Sequence, residues 1–236
     1  MEIEKFYSFQ SEKVTFTRQQ ASLFAKEVAG DFNPLHDENA KRFCVPGDLL
    51  FAVTLSRLGV SQNMRFDFEG MVTESSELDF TDQGQGKIDI KDQNDKVLMH
   101  IHHSGESTTE QRFVSSLIEK YVAFSGRTFP EVLVALMKKN QVMINTSRPL
   151  VIYKNMAVHI DEFPIGDLSL EFTGASLQAE GKKGIVNLEF DLLVNGRTIG
   201  HGTKSLVLGG LREYDQAAID SVVLDYENSK KSYLNK

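Results

Sequence analysis

The chain has 236 residues, of which 41% are hydrophobic and 25% charged, values typical of a globular protein with a core. The net charge of −7 disfavours nucleic acid as a partner, because phosphate binding requires a basic surface. No apolar run reaches the ~18 residues of a transmembrane helix, the N-terminus lacks the apolar stretch of a signal peptide, and the single Cys44 fits a reducing cytoplasm, so we expect no membrane partner and a cytoplasmic location.

The first predicted elements are a strand and a helix. Residues 14–17 (VTFT) are β-branched and aromatic, which predicts a short strand. Thr17 offers a hydroxyl that can cap the following helix, and Gly30 is placed to end it. Between them, apolar residues recur at helical spacing, at Ala21, Phe24, Ala25 and Val28.

A buried helix and a set of strands follow the loop DFNPLHDE. Residues 47–59 (GDLLFAVTLSRLG), opened by Pro46, are apolar on nearly every face, which predicts a helix buried on all sides. Beyond Gly59, apolar and polar residues alternate, which predicts antiparallel strands. The alternating apolar residues are Phe66 and Phe68, Leu78 and Phe80, Ile88 and Ile90, and Val97, Met99 and Ile101.

The second half repeats this order of elements, which indicates an internal duplication. Ser22 and Leu23 recur as Ser116 and Leu117 at an offset of about 94 residues, Pro46 recurs as Pro130 at about 84, and Leu78 recurs as Leu170 at about 92. Residues 131–138 (EVLVALMK) are again apolar nearly all round. The second copy lacks about ten residues before this segment, where the first copy has its loop.

We therefore predict two modules, residues 1–110 and 111–213, followed by a polar tail, residues 214–236, that is either solvated or a loosely docked helix. A loop retained in one copy alone is a candidate functional site. In the first copy this loop contains Gly30, Asp31, Asn33, Pro34 and His36, in the pattern G-D-x-N-P-x-H.

The stretch FTRQQASLFAKEVAGDFNPLH resembles the strand, helix and active loop of the MaoC-like (R)-specific enoyl-CoA hydratases. The later VPGDLLFA resembles the segment that opens the family's central helix. The resemblance implies an α+β double hot-dog fold, in which two fused modules each wrap an antiparallel sheet around a central buried helix. It also implies hydration or dehydration of an acyl-CoA or acyl-carrier-protein thioester, from 2-enoyl to 3-hydroxyacyl, as in fatty acid metabolism.

The residue types suit this chemistry. Asp31 and His36 are five residues apart across a proline-rigidified turn, so they can hold one water, with His36 placed for proton transfer. Asn33 can brace the loop. The backbone N–H of Gly47, at a helix N-terminus, can bind an enolate oxygen. The expected ligand is the acyl thioester alone, with no redox cofactor and no metal, and a homodimer is allowed.

Three further residues are weaker candidates for substrate binding. Arg42 and Arg57 can reach a coenzyme A phosphate, and Asp48 lies directly after the proposed oxyanion donor. Asp48 can also act as a helix-capping residue. Two alternative functions remain open from the sequence. One is a non-catalytic hot-dog module that binds an acyl thioester or a protein partner, and the other is a hot-dog thioesterase with Asp48 as its carboxylate.

Overall fold

The computed structural model describes residues 2–235. Its helices are α1 (Arg18–Phe24, continued by a π-helical turn, Ala25–Ala29), α2 (Gly47–Leu58), α3 (Gln111–Gly126), α4 (Leu133–Lys139, after a π-helical turn, Thr128–Val132) and α5 (Gln216–Leu234). Short 3-10 turns span Ile3–Phe6 and Pro34–His36.

The strands within residues 2–235 form one large sheet and two small pairs. The large sheet contains β3 (Val60–Phe68), β4 (Asp79–Gly84), β5 (Lys87–Lys91), β6 (Val97–Thr108), β8 (Leu150–Ile160), β9 (Leu168–Glu180), β10 (Lys183–Val194) and β11 (Arg197–Gly209). The small pairs are β1 (Ser8–Gln10) with β2 (Lys13–Thr15), and β7 (Val142–Met143) with β12 (Arg212–Glu213).

The eight strands are antiparallel and lie in the order β4-β5-β6-β3-β8-β11-β10-β9. Each half has the same internal order, and the first strands of the halves, β3 and β8, pair at the centre. Identical topology in both halves is what an internal duplication predicts. With helices packed against one face of this sheet, the architecture is the double hot-dog fold predicted from the sequence, with the two sheets joined edge to edge.

Helix α2 is the central helix of the first half, as predicted. All residues from 48 to 55 are buried, and the helix ends at Gly59, whose positive φ of 80° favours glycine. The local signals before it are also confirmed. Thr17 and Gln20 form a reciprocal capping box at the start of α1, and Gly30 ends the helical stretch in the left-handed conformation, with φ 64°.

Helix α4 differs from the prediction. Leu133, Leu136 and Met137 are buried, whereas Ala135 is exposed, so this helix is not enclosed on all sides. The reason is that α3 covers much of the inner face of the second half-sheet. Its Tyr121 ring lies 5.6 Å from the ring of Phe190 on β10, measured between centroids.

The segment predicted as a polar tail forms α5. The helix buries Ile219 and Tyr226 and packs on the first module near the candidate loop, so it is docked by specific contacts through to Tyr233. The last residue of the predicted tail, Lys236, lies outside the described residues. No helix within residues 2–235 has the length and apolar character needed to cross a membrane.

Candidate active site

The loop after α1 has a fixed backbone. Gly30 turns the chain out of the helix, and the N–H of Asp31 donates to the carbonyl of Ala25 at 2.8 Å. Asn33 braces the turn from both sides. Its N–H donates to Asp31 Oδ1 at 2.9 Å, and its Oδ1 accepts from the N–H of Leu35 at 3.1 Å. These bonds hold the Asp31 carboxylate in one orientation.

Asp31 and His36 face each other across this turn. His36 Nε2 lies 3.8 Å from Asp31 Oδ2, and both side chains retain some exposure, 14% and 24%. His36 Nδ1 lies 2.7 Å from the carbonyl oxygen of Cys44, which can only accept, so Nδ1 carries the proton. In the neutral ring Nε2 is therefore the free base, directed at Asp31. A water about 2.8 Å from both groups fits this separation.

Cys44 supplies that carbonyl from a half-buried position. Burial raises the pKa of its thiol from 9.0 to about 11. We expect iodoacetamide at pH 8 to alkylate Cys44 about 100-fold more slowly in the native protein than in urea, since the thiolate is the nucleophile. The raised pKa also contributes stability that is complete below the unfolded pKa of the thiol and is lost as pH rises from about 9 through 11. Equal native and denatured alkylation rates would contradict this prediction.

Gly47 begins α2, so its N–H and that of Asp48 lack acceptors within the helix. The Tyr153 ring, on β8 of the second module, packs against Gly47. A side chain on Gly47 would place its first carbon 2.8 Å from Tyr153 Cδ1 and 3.3 Å from Phe68 Cε1. The helix N-terminus therefore opens onto an aromatic wall, because the Phe68 and Tyr153 rings are stacked 4.4 Å apart.

The position of the Asp48 carboxylate differs from the one predicted from the sequence. The residue before α2 is Pro46, no side chain caps the helix, and the Asp48 carboxylate is buried. Its Oδ2 accepts from Ser125 Oγ at 2.6 Å, and Ser125 Oγ in turn accepts from Lys204 Nζ. Burial raises the pKa of Asp48 and lowers that of Lys204, and the charge of each opposes the shift of the other. The Asp48 carboxylate therefore lies in the interior, bonded to Ser125, and it is not on the surface where a substrate contact or an exposed helix cap was expected.

Helix α5 fastens the loop from outside. The Tyr226 hydroxyl donates to the carbonyl of Gly30 at 3.3 Å and accepts from the N–H of Phe32 at 3.2 Å. The Phe32 ring packs edge-on against Tyr226 and Tyr233, with centroids 6.1 and 5.8 Å away. Burial raises the pKa of Tyr226, and the neighbouring charge of Asp31 raises it further, so the hydroxyl stays protonated.

The two arginines lie in different places. Arg57 lies in the last turn of α2, roughly 15 Å along the helix from Gly47, where its guanidinium stacks on the rings of Phe9 and Phe80. Arg42 is exposed on the loop before α2. Among residues 2–235, no three His, Cys, Asp or Glu side chains are grouped to hold a metal ion.

Two cavities lie away from the loop. A groove of about 480 Å³ runs over β3, β6, β8 and β11 and is lined by His102, His159 and His201, among others. A cavity of about 230 Å³ lies between the N-terminal turn and α3. The Asp31 and His36 side chains line neither of these two cavities and are partly exposed at the surface.

Comparison with protein families matches residues 1–217 to the model described as "Protein of unknown function (DUF3581)". The chain belongs to the DUF3581 family. The match covers both modules and ends at the second residue of α5, so the rest of the helix that fastens the loop lies outside it. No curated protein matches the chain in sequence.

Several solved structures are distantly similar to this DUF3581 protein. A hot-dog protein of unknown function from Alicyclobacillus acidocaldarius is 9% identical, with TM-score 0.48, over 88% of this chain and 98% of that one. The acyl-CoA thioesterase II TesB2 of Mycobacterium marinum is 8% identical, with TM-score 0.46, over 92% and 99%. A MaoC-like dehydratase from Phytophthora capsici is 11% identical, with TM-score 0.37, over 86% and 98%.

Sequence reasoning missed four residues around the site: Ser125, Tyr153, Lys204 and Tyr226. One of them had a signal. Along β11, Gly202, Leu206 and Leu208 face the core, and Lys204 falls in the same alternation. A lysine at a core-facing position of a strand indicates a buried partner. Ser125 and Tyr153 have no comparable signal, since serine and tyrosine are common in helices and strands.

Proposed function

We propose that this DUF3581 protein is a MaoC-like hydratase or dehydratase that interconverts 2-enoyl and 3-hydroxyacyl thioesters of coenzyme A or an acyl carrier protein. One observation carries the proposal: the 3.8 Å separation of Asp31 Oδ2 and His36 Nε2 on a braced loop, with His36 Nδ1 held by a carbonyl. That geometry suits the binding and deprotonation of a single water.

In the hydration direction, the water held between Asp31 and His36 adds its oxygen to C3 of the enoyl group. His36 Nε2 takes a proton from this water, and the Asp31–His36 pair returns a proton to C2, so one water is consumed. The N–H groups of Gly47 and Asp48 are the proposed donors to the thioester oxygen, which carries negative charge in the enolate. The addition involves no net oxidation, so it requires no redox cofactor.

A non-catalytic module that binds acyl thioesters is the second candidate. The observation that favours it is the Tyr153 ring packed directly on Gly47, which narrows the approach to the helix N-terminus. Thioesterase activity is less well supported. The carboxylate it would use, Asp48, is buried and bonded to Ser125, so it is not presented to a water beside a substrate.

The test is an assay with trans-2-enoyl-CoA substrates that have short, medium and long acyl chains. Loss of the enoyl absorbance measures their hydration. We expect turnover of short chains above all, because Tyr153 and Phe68 close the space beside Gly47. If no substrate is hydrated but labelled acyl-CoA binds with a measurable Kd, the binding-module function replaces this one. Release of free thiol without hydration would instead indicate a thioesterase.

A further inference from the structure

A buried chain of polar groups joins the two modules. Lys204 on β11 donates through Nζ to Ser125 Oγ on α3, and Ser125 donates to Asp48 Oδ2 on α2. These residues are only 5%, 3% and 9% exposed. Buried charged groups are rare and are normally paired, and the proposed hydration uses none of these side chains directly.

The polar groups of Lys204, Ser125 and Asp48 lie immediately behind the proposed oxyanion site. The Tyr153 ring separates the two, since it packs against Gly47 on one side and has Lys204 Nζ 4.5 Å from its centroid. Asp48 is also close enough to the catalytic loop for the charges of Asp31 and His36 to act on its pKa, and Asp31 acts likewise on the pKa of Lys204.

The position of Asp48 raises an electrostatic problem for the proposed reaction. A carboxylate next to Gly47 opposes negative charge on a thioester oxygen at the same helix N-terminus. The buried Oδ1 of Asp48 has no hydrogen-bond partner among the described residues, so no donor disperses its charge on that side. The only cation joined to Asp48 by the described hydrogen bonds is Lys204, through Ser125.

We propose that Lys204 is a positioning residue of the site: it balances Asp48 so that the N-terminus of α2 can bind the enolate oxygen. The pair carries no net charge whichever member holds the shared proton. The second module has lost its own loop, yet through Lys204 and Tyr153 it supplies the charge balance and the wall of the first module's site. This inference rests on the proposed thioester function.

Acetoacetyl-CoA tests the inference without turnover. This thioester ionises to an enolate with its own ultraviolet absorption, so its bound enolate fraction reports the charge at the oxyanion site. Titrations over a range of pH are compared for wild type, Lys204→Met, Asp48→Asn and the double variant. Lys183→Met, an exposed lysine on β10 of the same module, is the matched control.

We expect Lys204→Met to lower the bound enolate-to-keto ratio by about tenfold or more at neutral pH. The deficit should grow as pH rises, because Asp48 ionises without its partner. The double variant should return to within about threefold of wild type, Asp48→Asn should match or exceed wild type, and Lys183→Met should not change. A purely structural role for the pair would not give this pH-dependent rescue.

The outcomes are separable. If wild type binds acetoacetyl-CoA but Lys204→Met shows the wild-type enolate ratio at every pH, the charge-balancing role is overturned while the thioester site stands. If wild type binds no thioester, the proposed function fails and this inference fails with it. If Lys204→Met does not fold, Asp48→Asn decides alone, since an enolate ratio below that of wild type would overturn the inference.

Discussion

Replacing either His36 by alanine or Asp31 by asparagine is expected to lower turnover of a trans-2-enoyl-CoA by about 100-fold or more, the usual scale for loss of a general acid or base. His36→Ala removes the imidazole whose Nε2 takes a proton from the water in the proposed mechanism. Asp31→Asn keeps an acceptor for the N–H of Asn33 but removes the negative charge that orients the water. Initial rates at saturating and limiting substrate separate the loss in kcat from any change in KM.

His102→Ala is the control for these variants, because His102 is exposed on the outer face of β6 and should leave turnover unchanged. Because both positions lie on a loop, substitution of either residue is by itself expected to change stability little. The bond from His36 to the Cys44 carbonyl changes that expectation for His36→Ala, which should cost about 1 kcal/mol. Turnover within a few-fold of wild type in both loop variants would remove the basis of the hydratase mechanism.

Truncation of Phe51 to alanine is expected to lower the free energy of unfolding by about 3–5 kcal/mol. Phe51 is fully buried in the middle of α2, and its ring lies 5.1 Å from that of Phe66 on β3 and 4.7 Å from that of Tyr121 on α3. The resulting cavity would lie where the helices of both halves meet the sheet, which leaves little freedom to collapse. Urea unfolding at constant m-value gives the measurement.

Phe172→Ala provides the matched comparison, since the same ring is 46% exposed on β9. Its loss should cost no more than about 1 kcal/mol. If Phe51→Ala and Phe172→Ala lowered the free energy of unfolding by similar amounts, α2 would not be the central element of the core. The placement of Gly47 beside Tyr153 would then also be wrong.

The two predictions concern the same helix for a physical reason. Helix α2 both fills the core through Phe51 and presents its first N–H groups to the candidate site at Gly47. A hot-dog helix that shifted to relieve a cavity would move the oxyanion donors relative to Asp31 and His36. The activity of a core variant should therefore be measured only at temperatures at which that variant has been shown to be folded.

The sequence by itself determined the features that depend on neighbours a few residues apart. The capping box of Thr17 and Gln20, the left-handed Gly30, the bracing of the loop by Asn33 and the all-round apolar α2 are each encoded within one or two turns of chain. The repeat predicted that the two halves share one order of elements, because duplicated sequences adopt the same topology, and the strand order in the sheet is the same in both halves.

The tertiary structure alone decided which distant groups complete the site. Ser125 is 77 residues from Asp48 and 79 from Lys204, and Tyr226 is 194 residues from Phe32. Contacts of this kind depend on how α3, β11 and α5 pack. The sequence around a polar residue does not identify its partner, because the two residues meet only after these elements have packed. For the same reason the sequence could place Asp48 next to the oxyanion donor but could not foresee that it would be buried and bonded to the chain that leads to Lys204.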